Sequence, residues 1–231
     1  MKIPPQKFVE SLAHLELPDN PDGPLLNPYF SPLAVDIDNE MPARRRLYLA
    51  NHIAHAAPVL ILVTATLSYD GSRLTGVPLT SEWLVINDLV PRAPLNRDHL
   101  PTGGRLTNTQ QPFTDRGATA IWEGLLHNNL TDRTLCWPVL PFQPYRADTV
   151  HDRTPSDAEL ELGMRWLNIL LKFSAKAEVV TIGSQVRDLF LKHGIPSRCA
   201  LAQPSLEDPT RIHEVFNEIA VARNLMRPYR L

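Results

Sequence analysis

The stretch Leu60 to Leu84, LILVTATLSYDGSRLTGVPLTSEWL, decides the fold, because its two halves obey different patterns. LILVTATL is an apolar run of strand length. A strand of that kind is buried on both faces, as in a parallel sheet covered by helices. SYDGSRLTGVPLTS is a polar, glycine-punctuated loop with one carboxylate, Asp70, and one guanidinium, Arg73. Loops that leave the carboxyl end of such a strand are where α/β proteins place their ligands.

Outward from this stretch, strands and helices alternate. A helix is expected over Pro42 to Ala56, with Leu47, Ala50, Ile53 and Ala54 on one side, and a strand over Val59 to Thr66. Residues 115–127 suit a helix and Thr134 to Val139 a strand. Thr154-Pro155 reads as the N-cap and first position of the next helix, which carries Leu160, Met164, Leu167 and Leu171 on its apolar stripe. Glu178 to Ile182 is a strand, Gln185 to His193 a helix closed by Gly194, and Arg198 to Ala202 a strand. A last helix runs from Pro209 to Asn224 with Ile212, Val215, Phe216 and Ile219 inward. The fold class is therefore α/β: a three-layer αβα arrangement around a mostly parallel sheet of about four strands.

The chain has 231 residues, 43% of them hydrophobic, and is read as one domain with residues 1–40 as a proline-rich extension packed on it. A formal charge of −2 excludes the global basic field of a histone-like protein, so any nucleic-acid contact is local. No window holds the roughly 18 apolar residues of a membrane span, and MKIPPQKFVE lacks the apolar core of a signal peptide; a cytoplasmic, monomeric protein is expected. Twenty-two prolines against ten glycines mark long, shaped loops. The two cysteines, Cys136 and Cys199, lie in apolar strand-like surroundings as inert thiols, so no disulfide framework, metal site or iron-sulfur cluster is expected, and no cofactor. His52 and His55, three apart without a carboxylate partner, read as a surface or partly buried pair. Arg44-Arg45-Arg46 reads as a solvated helix face. GxSxG, GxxxxGK[ST] and GxGxxG are all missing, which removes the serine-hydrolase, P-loop and dinucleotide readings.

Three loops follow predicted parallel strands: Leu67 to Ser81, Pro138 to Tyr145 and Gln203 to Asp208. Their convergence would bring Asp70, Arg73, Trp137, Phe142, Gln143, Gln203 and Ser205 to one crevice. Aromatic, amide and carboxylate groups together suit a planar heterocycle, stacked on its faces and hydrogen-bonded at its edge.

At these loops the sequence resembles the uracil-DNA glycosylase superfamily, in particular a bacterial branch. NPYFSPLAV, SRLTGVPLTSE, TLCWPVLPFQPY, TPSDAELELGMRWL, EVVTIG and QPS fall in that family's order and spacing. The resemblance implies the glycosylase-like αβα fold, DNA as partner, and removal of a base by cleavage of its N-glycosidic bond. It also exposes departures. The first motif, where the family carries a polar or acidic water-positioning residue, reads Thr64-Ala65-Thr66-Leu67-Ser68, and the nearest acid is Asp70. Leu79 stands where a phenylalanine usually stacks on the base. Pro138 stands where an asparagine reads the edge of uracil, and Gln203 where a histidine donates to the departing base.

By that resemblance Asp70 and Gln203 are the catalytic candidates. Tyr69, Leu79, Trp137, Pro138, Phe142 and Gln143 are expected at the base, and Arg73, Ser205 and Leu206 at the DNA backbone and the vacated stack. Losing the ring and the amide opens the pocket to a base larger than uracil. Bulky bases occur mostly in phage genomes, so an enzyme removing them would serve defence. Repair of uracil or other deaminated bases, hydrolysis of a free nucleotide and a non-catalytic DNA- or nucleotide-binding protein of the same fold remain the alternatives.

Overall fold

The computed structural model describes residues 4–17, 23–54, 58–91, 104–149, 151–204 and 208–225. Its centre is a parallel sheet of four strands, β2 (Leu60–Thr64), β3 (Thr134–Pro138), β5 (Glu178–Ile182) and β6 (Cys199–Leu201), in the order β3-β2-β5-β6. Leu62 lies opposite Cys136 on one side and Val180 on the other. A separate antiparallel pair joins β1 (Leu25–Leu26) to β4 (Gln143–Pro144), with Leu26 opposite Gln143.

The apolar run of β2 is explained by two cores. Leu60 and Leu62 point into one, built with α5 (Arg116–His127) and α8 (Pro209–Ala222) through Ile121, Leu125, Ile212, Val215, Phe216 and Ile219. Ile61 and Val63 point into the other, built with α1 (Pro5–Ala13), α6 (Asp157–Phe173) and α7 (Ser184–Lys192) through Phe8, Leu12, Leu160, Leu167 and Phe190. Successive strand residues face opposite ways, so a strand between two helical layers must be apolar throughout. The helix α2 (Met41–Ile53) contributes to both cores, Tyr48 to the first and Leu49 to the second. Two short helices, α3 (Ser72–Thr75) and α4 (Glu82–Ile86), follow β2. Among the described residues no helix is long and apolar enough to cross a membrane.

Several local readings are corrected. The cap of α6 is Ser156, not Thr154: the Ser156 hydroxyl accepts from Glu159 N–H while the Glu159 carboxylate accepts from Ser156 N–H. This reciprocal pair satisfies two terminal donors at once and outcompetes a cap two residues earlier. Arg45 is fully buried, not solvated. It pairs with Asp36, and its guanidinium also donates to the carbonyls of Leu74 at 3.0 Å and Pro28 at 3.2 Å, tying α3 and the loop before α2 to α2. His52 is also fully buried; its Nε2 accepts from the Cys136 N–H at 3.0 Å, closing the outer side of the edge strand β3. His55 lies outside the described residues. Cys136 is buried, whereas Cys199 is only partly so. Residues 5–13, within the proline-rich stretch, form a helix that buries Phe8, Val9, Leu12 and Ala13.

Candidate active site

A cleft of about 430 Å³ opens at the carboxyl ends of the parallel strands. Thr64, Ala65 and Thr66 line it from the end of β2, Gln203 and Pro204 from the end of β6, and Gln185 from the start of α7. Ser68, Ser72 and Leu79 form a wall from the loop after β2. Asp115 with Gly117 and Ala118, and the segment 152–155, complete the lining. Among the described residues no aromatic side chain lines the cleft, and hydroxyl, amide and carboxylate groups dominate.

The loop after β2 is built around Gly71. A Cβ there would come within 2.5 Å of the Thr80 carbonyl and 2.8 Å of both Asp115 Oδ2 and Ser68 Oγ, so only glycine lets the chain turn this tightly. Ser68 and Ser72 brace the turn reciprocally: Ser68 N–H donates to Ser72 Oγ at 2.8 Å and Ser72 N–H to Ser68 Oγ at 3.1 Å. Ser68 in turn donates to Asp115 Oδ2 at 3.0 Å, and Asp115 Oδ1 caps α5 by accepting from Ala118 N–H at 2.9 Å. Asp115 therefore holds the loop and the helix together at the cleft. Leu79 has φ +55°, an uncommon conformation for a side-chain-bearing residue, and its carbonyl accepts from Trp122 Nε1 at 2.8 Å.

The second carboxylate, Asp152, is held differently. Its Oδ2 accepts from Tyr69 N–H at 2.9 Å and its Oδ1 from Gln143 Nε2 at 2.8 Å, while the residue, exposed like Asp70, lines the cleft. Burial pushes its carboxyl above the ordinary value, and the nearby Asp70 adds to this; Tyr69 N–H, Gln143 and Arg73 oppose it without reversing it. An acid in a cleft with a raised pKa and unused lone pairs is equipped to take a proton.

Of the residues expected at the site, Leu79 and Gln203 line the cleft. Asp70 does not: it is exposed on the loop outside the lining. Trp137, Pro138 and Phe142 are buried. Trp137 packs on Phe8 with ring centres 5.6 Å apart, and Phe142 on Trp166 at 5.8 Å, so both rings belong to the core under the site. Pro138 ends β3 opposite Thr64, at the edge of the sheet where its missing N–H is tolerated. Gln143 is fully buried and engaged with Asp152, so it cannot read the edge of a base. Arg73, expected at phosphate, is 5% exposed: its Nε donates to the Tyr69 carbonyl at 2.6 Å and its guanidinium lies 3.8 Å over the Tyr69 ring. That ring also meets His151, with ring centres 4.7 Å apart. Ser205 and Leu206 lie outside the described residues.

Asp115 and Asp152 were not singled out by the sequence. Asp115 sits at the start of a recognisable helix, where an acid reads as a cap. Asp152 lies in HDRT, a loop without periodicity or motif spacing, and nothing in the sequence marks it.

The chain is thus a four-stranded parallel sheet between helical layers, with a cleft at its strand ends. Among solved structures, SMUG2 from Pedobacter heparinus matches with a TM-score of 0.61 over 96% of this chain and 97% of that one. The identity is 13%, so the likeness is one of fold. Comparison with models of known families and with characterised proteins found no match.

Proposed function

We propose that this protein is a DNA glycosylase that removes a modified base and leaves an abasic site. The observation that carries the reading is Asp152: a carboxylate lining the cleft, fixed by two donors and with spare acceptor capacity, beside Gln203 at the strand ends of a glycosylase-like sheet. In the reaction a water attacks the sugar C1′ and passes its proton to Asp152. The C–N bond breaks, its electron pair leaves with the base, and the Gln203 amide donates to the base as negative charge develops. Asp152 takes the role that the loop position of Asp70 suggested, since Asp70 is outside the cleft. Extraction of the nucleotide from the stack precedes this step.

The character of the base follows from the lining. Leu79 offers bulk without a ring, no aromatic platform among the described residues faces the cleft, and Thr64, Thr66, Ser68, Ser72, Gln185 and Gln203 offer hydrogen bonds. Such a surface favours a base that carries its own polar, hydroxyl-bearing substituent over bare uracil, which would depend on stacking and an edge-reading amide. Bases of that kind are installed by phages, so the setting we propose is defence. The test is incubation with oligonucleotides bearing uracil, hypoxanthine, hydroxymethylated or glucosylated bases, followed by alkali. Strand breakage on the decorated bases supports the reading. DNA binding without breakage on any member of the panel would replace it with a binding protein, a reading favoured by Pro138 at the edge-reading position.

A further inference from the structure

We infer that Gln143 is a positioning residue which, together with the Tyr69 N–H, fixes the Asp152 carboxylate so that its unused lone pairs face the cleft. The inference rests on the reading of Asp152 as the proton acceptor. Three observations carry it.

First, the two residues are brought together by backbone pairing. The chain after β4 folds back on itself: Tyr145 and Asp152 pair as an antiparallel bridge, Arg146 N–H donates to His151 O at 3.0 Å, and Arg153 N–H to Pro144 O at 3.2 Å. This hairpin sets Asp152 two positions beyond Gln143 on the facing strand, within reach of its amide. Second, the two donors divide the carboxylate, with Gln143 on Oδ1 and Tyr69 on Oδ2, which fixes its rotation. Tyr69 is itself fixed by Arg73, which grips its carbonyl and covers its ring. Third, Gln143 is fully buried, yet its Oε1 has no hydrogen-bond partner among the described residues. An orphaned buried acceptor is unfavourable, and a leucine or methionine would fill the same volume without one. The amide is therefore explained by what its other end does, which is to donate to Asp152.

The charged groups around Asp152 are Arg73 and Asp70 from the loop after β2, and its neighbours His151 and Arg153, the latter ion-paired with Glu159. None of them replaces the donation from Gln143. Hydrogen bonds to the ionised form favour that form, so removing this donor must raise the Asp152 pKa further.

The experiment is Gln143→Leu in the whole protein, read by the carbon-13 titration of the Asp152 carboxyl, by thermal melting, and by the pH profile of base removal. We expect a folded variant whose Asp152 titrates higher by about one pH unit or more. The acid limb of activity should move by the same amount, and kcat should fall roughly tenfold or more at little cost in KM, as a misdirected proton acceptor predicts. Gln143→Met carries the same test should the leucine variant fail to fold. A folded variant with an unchanged Asp152 titration overturns the inference. Because the titration needs no substrate, it separates failure of this inference from failure of the glycosylase reading, which shows instead as wild-type protein that cleaves no DNA.

Discussion

Glu82 and Asp152 are both carboxylates held by donated hydrogen bonds, Glu82 buried and Asp152 exposed at the cleft, and they are treated in opposite ways. Glu82, at the start of α4, is completely buried and accepts five hydrogen bonds, from Arg105 Nε, the N–H groups of Leu106, Thr107 and Phe113, and the Thr107 hydroxyl. Burial pushes its carboxyl up, but these donors outweigh burial and leave it below the ordinary value. Asp152 accepts one side-chain and one backbone donation, and the cost of desolvating its charge prevails. A carboxylate offers about four lone-pair sites, so Glu82 is saturated and Asp152 is not. The first acid organises a loop; the second retains capacity for a ligand.

Substitutions that exchange these environments test the contrast most strongly. Asp152→Asn keeps the shape and removes the proton acceptor, and base removal should fall by roughly a hundredfold or more in a single-turnover assay. Its melting temperature should stay level or rise slightly. The sign follows from linkage: an acid whose folded pKa is raised gives its stability at low pH and loses it as pH rises, so ionised Asp152 disfavours folding at neutral pH. Glu82→Ala reverses the pattern. It leaves buried N–H groups of the 104–113 loop without an acceptor, and denaturant unfolding should register a loss of about 3 kcal/mol or more.

Smaller effects sharpen the same comparison. Because the folded pKa of Glu82 is depressed, its stability is present above the unfolded carboxyl pKa and lost as pH falls through the folded value. Melting temperature plotted against pH should therefore drop steeply on the acid side, and Glu82→Gln should flatten that drop. Gly163 tests the packing beneath the site. A Cβ there would meet the Val139 carbonyl at 2.0 Å, so Gly163→Ala should destabilise by about 1–3 kcal/mol in chemical unfolding, although alanine is the better helix former. The smallest effect belongs to Asp70→Asn. Asp70 raises the Asp152 pKa from outside the cleft, so removing its charge should leave the rate within about threefold while the acid limb moves to lower pH.

The sheet was legible because its strands are short, apolar and separated by amphipathic helices, and LILVT needed no partner to declare itself. Helix α8 was legible from Ile212, Val215, Phe216 and Ile219, whose spacing is fixed by the helical period. The cap at Ser156 was written in the sequence as Ser-x-x-Glu, but Thr154-Pro155 offered a competing start two residues earlier. Arg45 could not be read as buried, because its partner Asp36 and its carbonyl acceptors lie on other segments, and periodicity carries no information about them. The site was half legible for the same reason. Leu79 and Gln203 lie directly after strands, where topology delivers them to the cleft. Trp137 and Phe142 lie on equally promising segments, yet α1 and α6 cover them, and Asp152 arrives through a hairpin that no local pattern announces.

Two aspartates thus divide the account, Asp70 prominent in sequence and Asp152 prominent in the cleft. The direct measurement is alkali-revealed strand breakage on DNA bearing a hydroxyl-decorated base, run side by side for the wild type, Asp152→Asn and Asp70→Asn. The wild type and Asp70→Asn should break the strand, and Asp152→Asn should not. Breakage that survives Asp152→Asn and disappears in Asp70→Asn would contradict this.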